Sequence, residues 1–141
     1  MTRDELMAFI ERRFELLTQR QGASAYREVY ADDAVVESPI AGTITGPVAI
    51  AEVGHILANA FPDREVTIED LLMEGDRAVF IARFRGTHAG EFLGMPKTDR
   101  PVEWRVVHLV QIQGQKIVRE RRFYDFTGLL IQVGVLKAKP A

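Results

Sequence analysis

His108 sits alone among apolar neighbours in the run VVHLV, and an imidazole with a pKa near working pH can move a proton or bond a ligand oxygen. The run Arg119-Glu120-Arg121-Arg122, followed by Phe123, Tyr124 and Asp125, is the other concentration of reactive side chains. Both runs read as strands, in which successive side chains point to opposite faces. Trp104, Val106 and His108 then share one face, and Glu103, Arg105, Val107 and Leu109 the other. Likewise Glu120, Arg122 and Tyr124 fall on one side, and Arg119, Arg121, Phe123 and Asp125 on the other. Two ordinary explanations compete with chemistry. A lone core histidine commonly bonds a backbone carbonyl, and a charge run commonly forms a solvated face. A long central strand cannot expose both sides, however, so one charged set enters a pocket or a subunit contact.

His55 lies between Val53 and Leu57 on a helical stretch, within reach of a pocket mouth, although helical histidines are more often solvated or hydrogen-bonded. His88 stands beside Thr87 and Glu91 in a glycine-rich loop, which it is expected to order by hydrogen bonds. Histidines at 55, 88 and 108 have no close ligand spacing, so no metal site is expected. No nucleophile elbow, phosphate loop or dinucleotide glycine pattern occurs.

The elements that must position these residues follow from periodicity. Thr2 and Glu5 form a capping box, and Met7, Ile10, Phe14 and Leu17 predict an amphipathic helix over Arg3–Gln19, ended by Gln21-Gly22. Ser24 caps a short second helix through Val29 and Tyr30. Ala34–Glu37 is a short strand closed by Ser38-Pro39. Thr45-Gly46-Pro47 starts a third helix that buries Ile50, Val53, Ile56, Leu57 and Ala60 and stops before Pro62. Beyond Pro62 the helical period gives way to alternation. Strands are expected over Glu65–Met73, Ala78–Arg85, Val102–Gln113 and Ile117–Phe126, with turns at Glu74-Gly75-Asp76 and Gly114-Gln115. Gly128–Leu136 packs as a short helix or covers an edge. This order is an α+β plan in a single domain over 1–141. It predicts a curved antiparallel (mixed) sheet wrapped around three N-terminal helices, a cone with a pocket at its mouth.

A chain of 141 residues can bury a core without staples, and 47% hydrophobic with 27% charged residues is an ordinary soluble balance. A formal charge of −2 gives no reason to expect nucleic acid as a partner. There is no cysteine, so disulfides, thiolate catalysis and cysteine-ligated zinc are excluded. The opening MTRDELMAF has acids in its first turn and no long apolar run. Neither a signal peptide nor a membrane span is expected, and a cytoplasmic location is.

Gly86 to Val102, GTHAGEFLGMPKTDRPV, joins two long strands by a loop too long and too glycine-rich for a tight hairpin. As a string it resembles the GTHxGEFxGxPPTGK hallmark of SnoaL-like polyketide cyclases. It matches at Gly86, Thr87, His88, Gly90, Glu91, Phe92, Gly94, Pro96 and Thr98, and departs at Lys97 and Asp99. AFPD at 60–63 and KIVRERRFYDFTGLLIQVG at 116–134 are similar to further cyclase motifs, and VYADDAVVESP at 29–39 is similar to a ketosteroid isomerase motif. Together they cover most of the chain. They imply the nuclear transport factor 2-like superfamily, which includes ketosteroid isomerase and limonene epoxide hydrolase.

The resemblance implies that Arg122 points inward. It occupies the position of the aspartate that serves cyclases and limonene epoxide hydrolase as acid and base. Arginine stays charged at neutral pH and cannot take that role. The second family aspartate is kept as Asp125. His108 falls where ketosteroid isomerase holds a protonated acid that donates to the substrate oxygen. The isomerase base falls on Ser38 and its polarising tyrosine on Phe14, which argues against steroid isomerase activity.

Two functions remain in view. One is a cofactor-independent cyclase or isomerase acting by proton transfer on a hydrophobic carbonyl compound. Its pocket is lined by Phe14, Trp104, Val106 and Tyr124, with Arg122 stabilising an enolate or carboxylate and His108 shuttling the proton. The other is a non-catalytic binding protein in which Arg122 holds an anionic ligand or pairs with Glu120. Ser38, His55 and Glu120 complete the candidate ligand contacts. An epoxide hydrolase would need two carboxylates beside the arginine. Val79, Ile81, Val107 and Leu109 form an apolar strip on the outer face and predict a homodimer through the sheet.

Overall fold

The computed structural model describes residues 1–19 and 22–137. Helix α1 (Arg3–Gln19) opens on the expected reciprocal cap: Glu5 N–H donates to Thr2 Oγ1 and Thr2 N–H to Glu5 Oε2, each at 3.1 Å. Its buried stripe is Leu6, Ile10, Arg13 and Leu17, so an arginine holds a position whose spacing suits an apolar residue. The helix stop expected at Gln21 lies outside the described residues. Helix α2 (Ala23–Val29) is capped by Gly22 rather than Ser24, which is already inside it. Tyr30 begins strand β1 (Tyr30–Ser38) instead of ending the helix, because its ring and Ala34 are drawn wholly into the core. A short β2 (Gly42–Thr45), which the sequence reading did not anticipate, pairs antiparallel with β1.

Helix α3 (Pro47–Ala60) has proline in its first turn and Gly46 as its cap at φ 88°, a region that favours glycine. Ile50, Val53 and Ala60 are buried as expected, while Ile56 and Leu57 are only half-buried. Strands β3 (Glu65–Glu74), β4 (Arg77–Thr87), β5 (Pro101–Gln113) and β6 (Lys116–Phe123) then run as successive antiparallel pairs. β6 stops short of the expected Phe126. Asp125 instead caps helix α4 (Phe126–Gln132), its Oδ1 accepting from Gly128 N–H at 2.8 Å. The six strands form one mixed sheet in the order β2-β1-β6-β5-β4-β3, with a parallel contact between β1 and β6. The fold is α+β, as the element order implied. Among the described residues, no helix is long and apolar enough to cross a membrane.

Alternation along β5 is clean: Val102, Trp104, Val106, His108 and Val110 are all buried, and their neighbours are not. The outer face of β6 carries Arg121, which pairs with Glu37 at 2.9 Å, and the more distant Arg119. That half of the RERR run is the solvated face.

The hallmark loop between β4 and β5 works as a clamp. Ala89 and Gly90 N–H both donate to Ala60 O, at 3.1 and 3.2 Å. A Cβ on Gly90 would lie 1.9 Å from Asn59 O, so only glycine can pass the end of α3. Asp63 of the AFPD motif accepts from Thr87 N–H at 2.8 Å. His88 is fully buried and orders the loop, but through Thr98 Oγ1 at 2.8 Å rather than through Thr87 or Glu91.

Candidate active site

Two apolar clusters build the core. One joins Leu6, Ile10, Leu17, Tyr26, Tyr30 and Phe80, and the other joins Phe61, Phe92, Trp104, Val106 and Leu129. Leu17 and Tyr26 of the first cluster and Trp104 and Val106 of the second line one shared cavity. Of the expected site residues, Phe14, Ser38, Trp104, Val106, His108, Arg122 and Tyr124 line it. Trp104 stacks on Phe84 with ring centroids 5.1 Å apart, giving the cavity a flat aromatic wall. Ser38 Oγ accepts from Ala41 N–H at 3.1 Å and so also shapes a turn. His55 is exposed on α3, whose cavity side is made by Val53, Gly54 and Leu57. Glu120 lies behind the wall.

Glu120 is completely buried and is the hub of the site. Its Oε1 accepts from the Tyr30 hydroxyl at 2.7 Å, and its Oε2 bonds His108 Nδ1 at 3.1 Å. Arg13 Nη2 reaches both carboxylate oxygens at 3.3 Å, and Arg122 Nε donates to Oε2. The Tyr30 oxygen in turn accepts from Arg13 at 2.7 Å and from Arg122 at 3.1 Å. One negative charge is therefore shared by two guanidinium groups, and the buried cluster keeps a net positive charge.

That imbalance decides the protonation states. Burial by itself would raise the Glu120 pKa, but Arg122, Arg13 and the His108 bond outweigh it and hold the carboxyl well below its usual range. Burial also pushes His108 down, to about 4, since the hydrogen bond and charge of Glu120 only partly oppose it and both arginines repel the imidazolium. His108 is thus neutral at pH 7. A carboxylate only accepts, so Nδ1 carries the single ring proton and Nε2 keeps a lone pair. Nε2 is buried and has no hydrogen-bond partner among the described residues. Burial raises Tyr30 and Tyr124 to about 12, so both hydroxyls stay protonated.

Arg13 and Tyr30 belong to this cluster but were not among the expected site residues. The signal for Arg13 was its place on the Leu6–Ile10–Leu17 stripe, where a solvated charge has no room. Tyr30 gave no comparable signal, because its partners come from α1 and β6, distant in sequence.

The site is a buried Glu–His pair beside an apolar cavity, carried on the mixed sheet of an α+β fold. The chain belongs to the SnoaL-like polyketide cyclase family, whose profile matches residues 8–133. Nogalonic acid methyl ester cyclase of Streptomyces nogalater is 34% identical over 96 residues, covering 66% of this chain and 70% of that protein. Among solved structures, a SnoaL-like protein of Jannaschia sp. CCS1 superposes with a TM-score of 0.82 at 23% identity, over 93% of this chain and 92% of its own. TsrD of Streptomyces laurentii gives 0.81 at 21% identity, over 96% and 99%. The family profile and the Streptomyces nogalater relative support a cyclase- or isomerase-like role on a small molecule, and the solved structures show the same fold.

Proposed function

We propose that the protein is a cofactor-independent cyclase or isomerase that moves a proton on a hydrophobic carbonyl compound. The observation that carries this reading is the unpaired Nε2 of His108, on a neutral ring oriented by Glu120 in the wall of the cavity. In this scheme Nε2 takes a proton from a carbon flanked by carbonyls. The C–H electron pair becomes an enolate whose oxygen faces the Arg122 guanidinium, a fixed positive charge of the cavity wall. The enolate carbon bonds a second carbonyl carbon of the same molecule, and the new alkoxide recovers the proton from the imidazolium. Atoms balance without a cofactor, and the product is an isomer of the substrate. Phe14 packs edge-on against His108 at 6.0 Å and is the side chain a substrate displaces on its way to Nε2. The relative from Streptomyces nogalater, a cyclase by name, supports ring closure as the outcome.

The test is deuterium wash-in. An aromatic 1,3-dicarbonyl ester incubated with the protein in heavy water should gain deuterium at the activated carbon in proportion to protein concentration, with a product of the same elemental composition apart from that exchange. Ligand-induced thermal stabilisation with no wash-in and no product would instead assign a non-catalytic binding protein. That second reading is favoured by one fact: Arg122, at the family's acid–base position, is held by Glu120 and trades no proton.

The proposal includes a homodimer. Cross-strand pairs Leu72–Val79–Leu109 and Ile81–Val107–Phe123 lay an apolar stripe over the outer face, with Leu72 68% and Phe123 50% exposed. Sedimentation at micromolar concentration should give twice the chain mass, and a monomer would contradict it.

A further inference from the structure

Among the described residues the cavity wall carries three guanidinium groups, Arg13, Arg64 and Arg122, and no carboxylate. Arg13 and Arg122 are both engaged by Glu120 behind the wall. Arg64 is different. It follows the AFPD motif on the way into β3, is half-buried, and its guanidinium forms no ion pair or side-chain hydrogen bond among the described residues. Burial lowers its pKa, yet an arginine so placed stays charged. A half-desolvated cation without a counter-charge is a cost to the folded protein unless something else supplies the anion.

Its position says where that anion comes from. Phe14, Thr18, Arg64 and Val66 line both the inner cavity and an adjoining groove between α1 and β3. Arg64 therefore stands where the groove meets the cavity that His108 also lines. The carboxylates nearest in the groove wall, Glu11 and Glu15, are exposed on α1, and no ion pair joins either to Arg64. Trp104 and Phe84, stacked on each other, give the same cavity an aromatic wall.

We propose that Arg64 is a specificity-determining residue that binds a carboxylate carried by the substrate, at the end remote from the reacting carbon. The substrate class is then a free aromatic or polyketide carboxylic acid, in contrast to the methyl ester in the name of the Streptomyces nogalater relative. A guanidinium fork meets a carboxylate with two parallel hydrogen bonds, which an ester cannot match. The inference rests on the cavity being the substrate site, as the proposed function holds.

Calorimetric titration with 2-naphthoate and with methyl 2-naphthoate tests it without turnover. The wild-type protein should bind the acid about tenfold more tightly than the ester, and Arg64→Gln should abolish that preference while leaving ester affinity in place. Equal affinities in the wild type would overturn the proposal. So would a preference that survives in Arg64→Gln, because Arg13 or Arg122 would then hold the acid. A second measurement needs no variant: raising salt from about 0.05 to about 0.5 M should weaken binding of the acid and leave the ester unaffected, and the same salt response for both would count against an ion pair. Failure of the proton-transfer reading looks different, namely acid preference intact with no deuterium wash-in.

Discussion

Glu120→Gln should destabilise the protein by about 3–5 kcal/mol, the cost of leaving buried charge without its partner. The substitution keeps the shape of the side chain and removes the only anion of the cluster. Arg13 and Arg122 are then left facing each other across a neutral amide, sharing only its single carbonyl oxygen and the Tyr30 hydroxyl as acceptors. Arg13→Met removes the bonds of that guanidinium to both Glu120 oxygens and to Tyr30 but should cost clearly less. It leaves Glu120 paired one-to-one with Arg122, and the methionine stem can fill the stripe between Ile10 and Leu17. Counting contacts alone would rank the two variants alike, whereas counting charge separates them. Urea unfolding of both variants at pH 7 measures the difference. A Glu120→Gln loss under about 1 kcal/mol, or an Arg13→Met loss as large, would show that the cluster is not governed by charge imbalance.

How legible was this cluster in the sequence? Which residues of β5 and β6 share a face was legible, because period-two alternation is a local property, and the family resemblance supplied the inward direction of the Arg122 set; Trp104, Val106, His108, Glu120 and Arg122 all turn inward. The pairing of His108 with Arg122 on adjacent strands adds that both face the same side. What could not be read was depth. Glu120 and Arg122 share a face, yet one is sealed behind the wall and the other lines the cavity, and that depends on what α1 and β1 place over them. Arg13 and Tyr30 do so, and each enters through contacts far apart in sequence. His55 failed for a simpler reason. Val53 and Leu57 lie one turn apart on the same side of α3, and the residue midway between them points away from it. The hallmark loop was recognisable as a string, but its work is structural. Gly90 is needed at the carbonyl of Asn59 and Asp63 at the amide of Thr87, neither of which a linear pattern reveals.

His108→Gln should lower turnover by on the order of 10²-fold or more, the usual contribution of a positioned general base, while leaving ligand affinity near that of the wild type. Glutamine can still donate to Glu120, so the variant keeps that bond and loses only the lone pair at Nε2. The pH profile separates this role from a structural one. With the imidazole held at about 4, kcat/KM in the wild type should rise through pH 4 and be level from pH 5.5 to 8, with no step at the ordinary histidine value of 6.5. Stability follows the same group. Between about pH 4 and 6.5 the unfolded chain binds the proton that folded His108 refuses, so stability is full above 6.5 and falls as the solution is acidified. The shift from 6.5 to about 4 corresponds to about 3 kcal/mol, with Glu120, whose folded pKa is also depressed, adding a further loss below its ordinary value of 4.5. His108→Gln should flatten the decline between pH 6.5 and 4.5 and retain the part below it. A kinetic midpoint near 6.5, or a variant that turns over as fast as the wild type, would take the proton from His108 and leave the cavity as a binding site alone.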